Sequence, residues 1–140
     1  QTKESAELVA FEDQKMIFIN RIECPRSVVL KARPGSVFDI TENTAMSRLA
    51  MALGVVRQNP ENCSESQVDQ IKGSGFDELL QNNGEVYRAA GAIFDRNRDC
   101  IGCLCIAAPA FRVKQKQKTK FKNILLDQSS QISAKLGHSN

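Results

Sequence analysis

Two strand-length runs, Glu85-Val-Tyr-Arg-Ala-Ala-Gly-Ala-Ile-Phe94 and Cys100-Ile-Gly-Cys-Leu-Cys-Ile-Ala-Ala-Pro109, constrain the fold of this chain more than any other part of it. The polar, turn-like Asp95-Arg-Asn-Arg-Asp99 separates them, so Glu85–Phe94 and Cys100–Ala107 read as a hairpin. Both runs are poor in bulk where they meet, with Ala89-Ala-Gly-Ala92 lying across from Gly102-Cys-Leu-Cys105. A strand face with so little side chain has two uses. Either another backbone packs closely against it, or it keeps room for a small ligand.

Three of the five cysteines fall within this hairpin. Strict alternation along the strand puts Ile101, Cys103, Cys105 and Ala107 on one face and Cys100 on the other, so the three thiols are not expected to converge. A structural zinc site needs four ligands held tetrahedrally, and the single histidine, His138, lies near the end of the chain. Redox chemistry needs a setting that favours thiolate, such as a helix N-terminus, which this strand lacks. The plain reading is buried cysteine acting as a small hydrophobe. The alternative is a thiol- or zinc-responsive sensor built on Cys100, Cys103 and Cys105, with Cys63 as a further member.

Elsewhere, Ala6–Phe11 and Met16–Ile22 flank the polar Glu12-Asp-Gln-Lys15 as a second hairpin, and Ser27–Ala32 reads as a third strand before the turn Arg33-Pro-Gly-Ser36. Thr41-Glu-Asn-Thr44 offers N-cap residues for a helix over Ala45–Leu53, whose apolar positions recur helically until Gly54. Ser64-Glu-Ser-Gln67 has capping-box spacing ahead of a short helix bearing Val68 and Ile71. A strand over Phe76–Leu80 leads through Asn82-Asn-Gly84 into the first hairpin. From Lys116 to Leu136, Phe121, Ile124, Leu125, Ile132 and Leu136 mark an amphipathic helix. Strands and helices without regular βαβ alternation imply an α+β fold with an antiparallel sheet.

A chain of 140 residues, 41% hydrophobic, suits one globular domain spanning 1–140. No apolar run is long enough to span a bilayer, and QTKESAELVAF lacks the order of a signal peptide. An odd number of cysteines without a secretion signal points to reduced thiols and a cytoplasmic setting. A start on Gln1, directly in patterned sequence, is what a domain cut from a longer protein would show. The formal charge of +3 is uneven: Arg112–Lys122 holds six basic residues and no acidic one, and without them 13 basic residues face 16 acidic ones. That tract heads an amphipathic segment and contains a single aromatic, so it reads as a solvated helix entrance before a nucleic-acid site. An enzyme is not expected. No motif joins Ser or Cys with a base and an acid, and no cofactor motif is present.

The stretch Ala89–Pro109 resembles the strand–turn–strand of the C-terminal effector-binding domain of IclR-type transcriptional regulators, of the form "iaaPifd..g.vvaalsvsgP". Arg112 fits an Arg soon after that Pro, Gln131-Ile-Ser-Ala-Lys-Leu-Gly137 is similar to the family's closing "is..LG", and Phe18–Glu23 resembles its "v.vdr.e". The resemblance implies a curved antiparallel sheet flanked by helices, related to GAF-type sensor folds. It also implies a small-molecule effector on the concave side, dimers or tetramers, and DNA binding through an N-terminal winged helix-turn-helix outside this chain. Where the family has "HatA.GkaiLA", this chain has Thr41–Met51, without the His or the Gly-Lys pair.

The resemblance places the effector at the start of the Ala45–Leu53 helix, where unpaired backbone N–H groups favour an anion near Thr44 and Ala45. Arg88 falls at a pocket-lining position, Cys105 and Ala107 at the family's Ser-x-Ser positions, and Glu78 near an acidic one. An Arg there could fork a carboxylate through two charge-assisted hydrogen bonds. The effector expected is therefore a small organic acid between Thr44–Ala45 and Arg88, with Cys105 on the pocket floor. The plainer reading of Arg88 is a strand residue facing solvent or pairing with Glu78 or Glu85.

Overall fold

The computed structural model describes residues 4–22, 34–40, 44–56, 58, 60, 63–81 and 83–139. Along the chain these form strands β1 (Ser5–Glu12), β2 (Lys15–Ile22) and β3 (Val37–Asp39), helices α1 (Ala45–Ala52) and α2 (Glu65–Ser74), strands β4 (Phe76–Gln81), β5 (Val86–Phe94) and β6 (Cys100–Pro109), a 3-10 turn at Ala110–Arg112, and helix α3 (Gln115–Lys135). The strands make one antiparallel sheet in the order β3-β2-β1-β6-β5-β4. The fold class is α+β: a curved sheet carrying helices on both faces.

Local chemistry explains the elements. Asp13 and Gln14 close the β1–β2 hairpin with positive φ at both, a turn whose twist matches that of the strands. Ser64 and Gln67 form the reciprocal capping box of α2, which ends on a left-handed Gly75. Thr44 caps α1. The expected strand over Ser27–Ala32 lies outside the described residues; among those described, β2 pairs with β1 on one side and with β3 on the other.

The thin hairpin is used for close packing on one face. A Cβ at Gly91 would stand 3.0 Å from Ser129 Oγ and 3.1 Å from the Leu125 carbonyl oxygen, so α3 presses its backbone against β5. Ser133 Oγ accepts from the Phe94 amide, and Phe121 and Leu125 pack with Tyr87, Ala89 and Ile106. On the other face, Ala90, Ala92, Cys103 and Cys105 are buried with Met46, Leu49 and Ala50 of α1. No helix of the described residues is long and apolar enough to cross a membrane.

Cys100 departs from the expected alternation. The β5–β6 register shifts between Ile93 and Phe94, so that Phe94 faces Cys100 while Ile93 faces Gly102. Ile101 is the extra residue of a bulge, and the slip carries Cys100 into the same buried cluster as Cys103 and Cys105.

Candidate functional site

Strand register sets two rows of side chains on the α1 face of the sheet. One runs Asp77, Ala90, Cys105, Glu7, Arg21 across five strands; the next runs Leu79, Arg88, Ala107, Ser5. Arg88 therefore stands diagonally from Glu7, with β6 and its small residues between them. Its Nη1 donates to Glu7 Oε1 at 2.8 Å. The partner of Arg88 is thus neither Glu78 nor Glu85, and the guanidinium does not face solvent. Glu7 was recognisable in principle, since alternation along Ser5-Ala-Glu-Leu-Val9 turns it inward between Ser5 and Val9, where an ionisable group needs a partner.

The pair is deeply set. The Glu7 side chain is 1% exposed and that of Arg88 13%. Burial raises the Glu7 pKa, offset by the charges of Arg88 and Arg21. Burial likewise pushes the Cys105 thiol up to about 12 against the opposing pull of Arg88. Glu7 Oε2 and Arg88 Nε are buried without a hydrogen-bond partner.

Thr44 and Ala45 are both buried at the head of α1, which lies on this face against β4, β5 and β6. Thr44 Oγ1 accepts from the Ser47 amide at 3.0 Å and donates to Ser47 Oγ, which in turn points at Met16 Sδ. Arg88, Cys105 and Ala107 are neighbours on this face. Glu78 is not with them: it pairs with Ala89 in the ladder, lies on the α3 face, is exposed, and accepts a hydrogen bond from Tyr87. The acid of β4 that faces α1 is Asp77, bound to Arg48.

Nothing here favours the thiol or zinc reading. Burial raises the pKa of all three hairpin thiols, Cys100 to about 12, so they stay protonated. Among the described residues no three of His, Cys, Asp and Glu are grouped to hold a metal ion. The basic tract is also divided. Lys118 lies over the Tyr87 ring and Lys122 over Phe76, Arg112 forks Glu4 through two hydrogen bonds, and Lys116 and Lys120 fall on another side of the helix.

No protein-family model matches the sequence, and no curated protein does. Solved structures match it well. IclR of Thermotoga maritima superposes with a TM-score of 0.82 at 18% identity, over 98% of this chain and 63% of that one. The C-terminal domain of the E. coli transcriptional regulator KdgR gives 0.73 at 21% identity, over 98% and 90%. The Agobacterium tumefaciens repressor BlcR gives 0.74 at 14% identity, over 98% and 61%. This chain spans less than two thirds of the length of the first and last of these, and most of the isolated KdgR domain. Its fold is that of the C-terminal domain of IclR-family transcriptional regulators.

Proposed function

We propose that this chain is the small-molecule sensing domain of a DNA-binding regulator of the IclR type, not an enzyme. It takes a small organic acid between Thr44–Ala45 and Arg88, above Cys105 and Ala107, and switches operator binding through rearrangement of a dimer or tetramer. The fold likeness supports the class of function. The observation that carries the site is buried charge with hydrogen-bonding capacity to spare, at Arg88 Nε and Glu7 Oε2. An unfilled donor on a buried guanidinium is what an incoming carboxylate needs. Glu78, on the other face, is left out of this site.

A thermal-shift panel of small organic acids tests the proposal. Binding at a hundredfold excess over Kd adds about 2.7 kcal/mol to stability. Arg88→Lys keeps a cation beside Glu7 but loses the planar fork, so it should weaken the best acid by at least about tenfold, roughly 1.4 kcal/mol. Arg88→Ala is a poorer probe, because it strands Glu7 without its cation. A panel without a stabilising acid, or an Arg88→Lys variant of unchanged affinity, would remove the site.

A further inference from the structure

A second buried ion pair lies at the outer edge of the sheet. All eight residues of α1 are buried, and Arg48 is the charged one among them. Its side chain is 10% exposed and that of its partner Asp77 9%. Arg48 Nη2 donates to Asp77 Oδ1 at 3.3 Å. Nε approaches Oδ2 to 3.0 Å without hydrogen-bond alignment, so both atoms are buried with unfilled capacity. A cavity of about 260 Å³ opens on this pair. Gln67 and Gln70 of α2, Glu78 of β4 and Lys122 of α3 line its mouth, and Ile71 and Phe76 give it an apolar wall.

The charges of this groove balance, with Arg48 and Lys122 against Asp77 and Glu78. A purely anionic guest meets two carboxylates, and a purely cationic guest meets two cations. A guest carrying both signs a few bonds apart finds a partner for each end, so the groove selects by repulsion as much as by attraction. Its volume lies below that of pockets for drug-sized ligands and suits a single small molecule. The groove wraps the edge of β4, so that residues of both sheet faces line it. We propose that this groove binds a small zwitterion of the α-amino acid class, its carboxylate on Arg48 and Lys122, its ammonium on Asp77 and Glu78, and an apolar side chain against Ile71 and Phe76. The site is separate from the one at Arg88. Burial pushes Asp77 up to about 6, opposed by the charge of Arg48 and by a hydrogen bond from the Glu78 backbone, with the Glu78 carboxylate adding a smaller upward push, so the Asp77 carboxylate is available at neutral pH and above.

Amide-resolved NMR of the full chain at neutral pH, titrated with L-leucine, N-acetyl-L-leucine and L-leucinamide, tests the proposal. L-Leucine at millimolar concentration should shift the amides of Gln67, Gln70, Asp77 and Glu78. The two blocked compounds, each lacking one charge, should bind at least about tenfold more weakly. Glu78→Gln combined with Lys122→Gln changes side chains at the mouth, leaves the Arg48–Asp77 pair intact, and should weaken L-leucine by a similar factor. Arg88→Lys should leave L-leucine binding as it is, which separates this site from the organic-acid site. Equal binding of the three compounds, unmoved amides, or shifts centred on Arg88 and Cys105 would overturn it.

Discussion

Gly102 sits where β6 is held most tightly against its neighbour. A Cβ there would stand 2.3 Å from the Val9 carbonyl oxygen, a backbone atom that cannot swing aside. Gly102→Ala should therefore push β1 from β6 and cost about 3 kcal/mol or more, read as a lowered denaturation midpoint at unchanged slope. Gly73→Ala in α2 is the control, since a Cβ there meets nothing within 4 Å. It should be neutral or stabilise by up to about 1 kcal/mol. If both variants lose the same stability, the close approach at Gly102 is not the cause. The thinness of this hairpin was legible from composition alone. The bulge at Ile101 was not, because nothing local marks a one-residue slip, and that slip changes the face of Cys100. The partner of Arg88 was hidden for a different reason: it comes from β1, 81 residues away in the chain.

At the scale of elements, Arg48 and Asp77 join α1 to the edge strand β4. Asp77 has an ordinary pKa of 3.8, which burial pushes up to about 6. The folded protein thus binds this proton more tightly than the unfolded chain does. The stability that the protonated form contributes is complete below about pH 4 and is lost as pH rises through about 6. Asp77→Asn does not titrate, so the stability of the parent relative to this variant should fall between about pH 4 and 7 and then level off. Urea unfolding across this range checks it; a parent that gains on the variant with rising pH would show that Arg48 outweighs burial. The elements themselves were largely legible. The Ser64–Gln67 box, the Thr44 cap and the apolar spacing of α3 each act within a turn or two, so the sequence carries them locally. Which face Glu78 occupies depends on the β4–β5 register, a tertiary property that spacing alone leaves open.

For the whole molecule, Ile19 and Ile22 of β2 and Val37 and Phe38 of β3 are large apolar side chains left exposed along one edge of the described sheet. Exposed apolar side chains along a sheet edge invite covering, in keeping with the dimer or tetramer proposed above. Light scattering at micromolar concentration should give a mass above the 15.5 kDa of one chain. Ile22→Glu with Val37→Glu should lower it towards that value, whereas a monomeric parent would count against the association. The buried ion pairs have one more effect. Glu7–Arg88, Glu4–Arg112 and Arg48–Asp77 tie together positions 81, 108 and 29 residues apart. Each contact closes a loop whose entropy the unfolded chain would otherwise keep, and that cost rises with the logarithm of loop length. A molecule held against Glu7 and Arg88 would therefore act as a reversible crosslink between the first strand and the far hairpin, tightening the chain as a topological object as well as filling a cavity.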